Sequence, residues 1–222
     1  MTTPQQLSRW EREFQLNGFV VLRNLIAVAS VQQMAEQLAP VIQAQWEQAQ
    51  QDEFKQGRGA GRLAFDVGSF ARFMKAGPWE QEYLSNPVVH ALLDRVLGAG
   101  GWRTHWTNVE VCFPGSRYMG WHSDQTPDET PDMDGPHQTV RTTFNIPLVD
   151  VGWANGAMEI LPGSHLLPRS FSITQPIQEI AHIYPHRLEL RLGDAILRDG
   201  NGLHRGAPNL TDVPRPMLDH TY

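Results

Sequence analysis

A single cysteine, Cys112, stands among 222 residues, so no internal disulfide can form and a reducing cytoplasm is the expected compartment. No run of about 18 apolar residues occurs, which leaves no candidate membrane-spanning helix. Segment 1–17 is polar, carries Arg9, Glu11, Arg12 and Glu13, and lacks the apolar centre of a secretory leader. Positive charge is also scarce, with 18 Lys and Arg against 24 Asp and Glu and a net charge of −6. Without a basic patch, neither nucleic acid nor an anionic membrane is an expected partner. No internal repeat and no low-complexity segment appears, which argues against solenoid and fibrous folds.

What is present is ordinary globular composition, 41% hydrophobic and 19% charged, in a length that suits one domain over residues 1–222. The first hundred residues read as a helical support region. Leu7, Trp10 and Phe14 share a face over 5–16, and Gly18 ends that helix before the β-type run Phe19-Val20-Val21-Leu22. Ser30 is the expected N-cap of a helix over 31–51, kinked at Pro40. The polar, glycine-rich 52–62 reads as a loop. Asn86-Pro87 then supplies a cap and a first-turn proline for a helix carrying Val88, Val89, Leu92, Leu93, Val96 and Leu97, ended by Gly98.

After residue 100 the period changes from helical to alternating. Val109, Val111 and Phe113 fall on one side of a strand, with Trp106, Asn108 and Glu110 on the other. Further strands are expected over Tyr118–Asp124, Thr139–Val149, 156–161, Leu188–Leu192, Ala195–Arg198 and from Arg215, with Gly193-Asp194 as a tight hairpin turn. Short strands at regular spacing predict a mainly β fold over 101–222, an antiparallel jelly roll with the helices packed outside. The acidic loop 125–138 is a candidate lid.

Chemistry concentrates in Trp121-His122-Ser123-Asp124. On a strand, positions i and i+2 share a face, so His122 and Asp124 project together. A histidine and a carboxylate are two members of the facial triad that holds non-haem iron(II), and His204 is the candidate third. The pair alone carries little, because nine histidines and 24 acids give about one His-x-acid tripeptide by chance. Arg215, eleven residues after His204 at the head of the next strand, is placed to clamp a carboxylate through two charge-assisted hydrogen bonds.

These residues resemble the phytanoyl-CoA dioxygenase family of iron(II)- and 2-oxoglutarate-dependent oxygenases. The likeness runs from Gly18-Phe19-Val20-Val21-Leu22 through Trp121-His122-Ser123-Asp124-Gln125, Asn155-Gly156-Ala157-Met158-Glu159-Ile160-Leu161-Pro162-Gly163-Ser164-His165 and Gly193-Asp194 to His204 and Arg215. It implies a double-stranded β-helix, with His122, Asp124 and His204 as catalytic iron ligands and Arg215 on the distal carboxylate of 2-oxoglutarate. It also implies O2 consumption, release of succinate and CO2, and hydroxylation of a small-molecule substrate in a biosynthetic setting, with desaturation or cyclisation needing the same residues. An acid at 124 speaks against halogenation, since related halogenases have a small residue there.

Two departures stand out. Many members place a serine two residues after the distal histidine, whereas this chain has Gly206, and Thr143 is the expected substitute. The chain also runs only seven residues past Arg215, which predicts a short final strand or an edge covered by a second copy in a homo-oligomer. Asn108 joins Thr143 as an expected cosubstrate contact, and Tyr118, Gln125 and Trp106 are expected to line the substrate pocket. His165 reads as a structural loop tie, and the remaining histidines as packing or surface residues. Two other classes fit the same ligands: a cupin-type metal enzyme that does not use 2-oxoglutarate, and a non-catalytic jelly-roll binding module.

Overall fold

Thr3 starts the first helix by accepting a hydrogen bond from the Gln6 backbone N–H, and Gly18 ends it with φ 79°, donating its own N–H to the Phe14 carbonyl. In the computed structural model, which describes residues 2–50, 61–67, 80–124, 137–167 and 183–222, this helix is α1 (Pro4–Asn17). β1 (Phe19–Leu22) follows, and then α2 (Val28–Gln50), which continues through Pro40. Ser30 is not the N-cap, because α2 begins two residues earlier and holds Ser30 in its first turn. β2 (Arg62–Asp66) begins where a loop was expected; only Leu63 and Phe65 give it an apolar side. α3 (Pro87–Leu97) has the predicted cap, Asn86 Oδ1 accepting from the Val88 N–H at 2.9 Å.

The remaining strands are β3 (Trp106–Cys112), β4 (Thr142–Pro147), β5 (Met158–Ile160), β6 (His186–Arg187), β7 (Ala195–Asp199), β8 (His204–Gly206) and β9 (Arg215–Thr221). They form a six-stranded sheet, β1-β7-β4-β9-β3-β2, and a three-stranded sheet, β6-β5-β8, with every pairing antiparallel. This is the expected jelly roll, or double-stranded β-helix, with helices outside. The helical support region is not purely helical, since β1 and β2 from the first hundred residues supply both edges of the large sheet.

Alternation on the large sheet decides the two environments. Val109, Val111, Phe144, Ile146, Leu197 and Leu218 turn outward and pack with Phe14, Leu38 and Leu92 of the helices. Each such buried side chain contributes about 1.5–3 kcal/mol. The opposite parity faces the small sheet and carries a smaller apolar cluster, including Phe19, Ile160, Ile196 and Met217. The same face holds Arg62, Asn108, Asn145, Arg198, Arg215 and Asp219, so the barrel interior is markedly polar.

Three expectations about strands need correction. Tyr118–Asp124 is not a regular strand and pairs through one isolated bridge, His122 with His204. Residues 188–198 do not form a hairpin: β6 and β7 lie in different sheets, and the Gly193 turn carries the chain between them. The final strand has no free edge to be covered by another subunit, because β9 is paired on both sides by β3 and β4.

Candidate metal centre

His204 stands at the start of β8, and its backbone exchanges both hydrogen bonds with His122, N–H to carbonyl in each direction at 3.1 and 2.9 Å. That closely bonded bridge draws the two imidazoles together, with ring centroids 4.4 Å apart. Asp124, two residues on, donates its backbone N–H to the Gly200 carbonyl and swings its carboxylate between the rings. Asp124 Oδ1 lies 3.9 Å from His122 Nε2 and 3.7 Å from His204 Nε2, and one ligand atom from each residue falls within 4.8 Å of the others.

The donor chemistry fits a divalent metal. His122 Nδ1 bonds the Gly120 carbonyl at 2.9 Å, and His204 Nδ1 bonds the Gly202 carbonyl at 3.0 Å. Each contact holds the proton on Nδ1 and turns the Nε2 lone pair toward Asp124. Burial and the positive charge of Arg198 hold the His204 pKa down to about 3, so that ring is neutral at physiological pH. Burial opposes ionisation of Asp124, but Arg198, His204 and His122 outweigh it and hold its carboxyl well below the usual range. Two imidazoles and one carboxylate whose ligand atoms converge are a donor set for iron(II).

The carboxylate is held by a residue that sequence reading passed over. Arg198, on β7, meets Asp124 Oδ2 at 2.6 Å through Nη2, and its Nε donates to Asn145 Oδ1 at 2.8 Å. Asn145 in turn donates to Asp219, whose carboxyl is pushed well above its usual range by burial and by Glu110. A buried polar chain thus runs from the candidate ligand across three strands. Its only sequence signal is an arginine inside the apolar run Ala195-Ile196-Leu197-Arg198, at the parity of Ile196.

The other expected site residues divide. Arg215 is buried on the interior face; its Nη2 donates to the Gly156 carbonyl at 2.7 Å, while its Nε has no partner among the described residues. Asn108 faces the same interior, in the rung of Asp66 and Asp219. Trp106 lies at the triad end, with the Arg141 guanidinium 4.5 Å above its ring and Arg141 Nη1 donating to the Asp124 carbonyl.

Thr143 does not substitute for the missing serine beside Arg215. It pairs in register with Thr221, six residues along β9 from Arg215, and its hydroxyl lies 3.3 Å from that of Thr221. Tyr118 does not line the interior either. Its ring stacks under Arg205 and its hydroxyl accepts from Arg187, in a cluster around Glu159 on the other face of the small sheet. The parity argument fails for Tyr118 because residues 116–121 are not a strand. Gln125 and most of the 125–138 loop lie outside the described residues. His165 is buried and ties Gln15, while Ser164 and Asn201 brace the turn that leads into His204.

Comparison with known proteins adds an independent line. A family model described as phytanoyl-CoA dioxygenase matches residues 14–217. Dioxygenase ALT11 of Alternaria alternata is 27% identical over 237 residues, covering 96% of this chain and 69% of that protein. Dioxygenase FrzG of Cladobotryum sp is 24% identical over 216 residues, covering 89% of this chain and 68% of the other. Among solved structures, the epimerase SnoN in complex with Fe3+, alpha ketoglutarate and nogalamycin RO superposes with a TM-score of 0.69 at 22% identity, covering 99% of this chain and 84% of that one.

Proposed function

We propose, from the premise that this chain belongs to the phytanoyl-CoA dioxygenase family, that His122, Asp124 and His204 hold the iron with which it hydroxylates a small organic molecule. The protein is an iron- and 2-oxoglutarate-dependent oxygenase that uses O2. That assignment decides against the cupin-type enzyme without 2-oxoglutarate and against a non-catalytic binding module. One observation carries the ligand assignment: three ligand atoms converge within 4.8 Å while both histidines are fixed through Nδ1.

When bound, iron and 2-oxoglutarate would supply the oxidising chemistry, one atom of O2 going to the succinate formed with CO2 from the oxo acid and the other to the substrate. The chain's own residues position the reactants. The Gly120 and Gly202 carbonyls fix the ring orientation of the two histidines. Arg198 takes one carboxylate oxygen of Asp124 and leaves the other for the metal. Arg215 receives the distal carboxylate of the cosubstrate, and its unpartnered Nε is a donor in waiting for it. Asn108 flanks the path between the two ends, and Trp106 with Arg141 walls the mouth beside Asp124. Apolar surfaces of Ile160, Ile196 and Met217 keep the interior closed to bulk water.

A small-molecule substrate is supported by SnoN, whose solved complex holds nogalamycin RO, and SnoN's origin in nogalamycin biosynthesis supports a biosynthetic setting. No helix among the described residues is long and apolar enough to cross a membrane, and the lone buried Cys112 favours the cytoplasm. We read residues 1–222 as one oxygenase domain. Anaerobic addition of iron(II) and 2-oxoglutarate should produce a weak visible charge-transfer band that His122→Ala abolishes. If no band forms and no succinate appears under air, the function assigned here is wrong.

A further inference from the structure

β2, β3 and β9 place Arg62, Cys112 and Arg215 side by side in one rung, all at interior parity. Both arginines are buried, at 6% and 5% exposure. Among the described residues no carboxylate lies within ion-pair distance of either. Arg62 donates through Nε and Nη2 to the Arg117 carbonyl and through Nη2 to the Ala207 carbonyl, and it neighbours the Cys112 side chain. Arg215 donates to the Gly156 carbonyl and leaves Nε without a partner. Burial lowers the Arg62 pKa, with Arg215 adding to it, while Cys112 and Glu110 oppose them. Two buried guanidiniums side by side, with no described carboxylate in ion-pair contact, call for an anion.

The place of Arg62 relative to the triad is fixed by Gly206. A Cβ added to Gly206 would lie 2.4 Å from Arg62 Nη1, 2.9 Å from Cζ and 3.0 Å from Nη2, so the guanidinium lies over that α-carbon. The backbone of Gly206 is not in the left-handed region, so space rather than conformation requires glycine there. Gly206 follows His204 by two residues on β8 and shares its face, about 7 Å along the strand. A five-carbon oxo diacid held at the metal by one end brings its other carboxylate into this region.

We propose that Arg62 fills the space left over Gly206, and that with Arg215 it forms a two-arginine clamp for the distal carboxylate of 2-oxoglutarate. The inference rests on the oxygenase reading above. Glycine at 206 and arginine at 62 are then two halves of one arrangement, since only a residue without a side chain leaves room for the second guanidinium.

The experiment is an anaerobic titration of the iron(II)-loaded protein with 2-oxoglutarate, and in parallel with 2-oxopentanoate, which lacks the distal carboxylate. In Arg62→Gln the affinity for 2-oxoglutarate should fall about tenfold or more, as for loss of a charge-assisted hydrogen bond. The affinity for 2-oxopentanoate should stay near that of the parent, so the preference between the two acids narrows. Cobalt(II) binding without oxo acid, followed by its visible absorption, should be unchanged. The double variant Arg62→Ala with Gly206→Ser should recover part of the preference lost in Arg62→Ala. Equal weakening toward both acids, or an unchanged preference, overturns the clamp. A parent protein that gives no charge-transfer band overturns the oxygenase reading and the clamp together, whereas a normal parent band with an unaltered Arg62→Gln titration overturns the clamp alone.

Discussion

Arg198 grips the Asp124 carboxylate at 2.6 Å and is itself held by Asn145 at 2.8 Å, so the orientation of the candidate ligand is set from β7 rather than from its own segment. This matters because residues 116–121 have no regular strand to hold them. The site's precision comes from side chains that reach across the barrel.

Arg198→Met therefore tests the arrangement. Removing the cation relieves repulsion toward a bound metal, but it also frees the carboxylate and strands Asn145. Losing a partner that orients a ligand typically weakens metal binding 10- to 100-fold, and that direction is expected here. Titration with cobalt(II), read by its visible absorption, measures it. Unchanged or tighter binding would show that Asp124 needs no external orientation.

Gly156 couples the cosubstrate end to the fold. Its φ is 87°, and an added Cβ would lie 2.6 Å from Cys112 Sγ, while its carbonyl accepts from Arg215. Gly156→Ala is expected to cost about 1–3 kcal/mol of stability from backbone strain, before any steric shift. The same variant should raise the KM for 2-oxoglutarate, because the acceptor that positions Arg215 moves. Denaturant unfolding and steady-state kinetics check the two halves separately.

His220 gives a pH prediction. It sits between Thr107 and Thr104 hydroxyls and packs against Tyr83 and Tyr222, and burial holds its pKa down to about 4 from 6.5. The unfolded chain then binds the extra proton first on acidification, so stability falls as pH drops from about 6.5 toward 4. The loss at pH 4 is on the order of 3 kcal/mol. His220→Gln should flatten the stability curve in that window by about this amount. Parallel curves for parent and variant would refute the assignment.

Phe144 anchors the layer between sheet and helices. It is fully buried and meets Tyr83 edge-on, with ring centroids 5.5 Å apart. Phe144→Ala is expected to cost about 3–5 kcal/mol, visible as a lower thermal midpoint, with the spectroscopic signature of the metal site retained below that midpoint.

Much of this was legible in the residues. His122, Asp124 and His204 meet as their order in the sequence suggests, though through one bridge and not a strand, and the apolar stripe Val109-Val111-Phe113 marks the face under the helices. What misled was the other stripe. Trp106, Asn108 and Glu110 read equally well as solvent-facing, because a polar interior inverts the usual sense of alternation. Arg198 and Arg62 were hidden for the same reason, since a lone arginine on a strand normally marks the wet side. Tyr118 and Thr143 were misplaced for different reasons. An extended segment without a ladder does not keep strand parity, and correct parity does not tell which end of a strand a side chain occupies.

β9 joins the large sheet in a way that bears on how the protein comes into being. Among the described strands it is the one that links β1-β7-β4 to β3-β2. During synthesis the two halves have no hydrogen-bonded seam until residues 215–221 leave the ribosome, and until then β3 and β4 each expose an unpaired edge. The nascent chain exposes both edges just before β9 arrives.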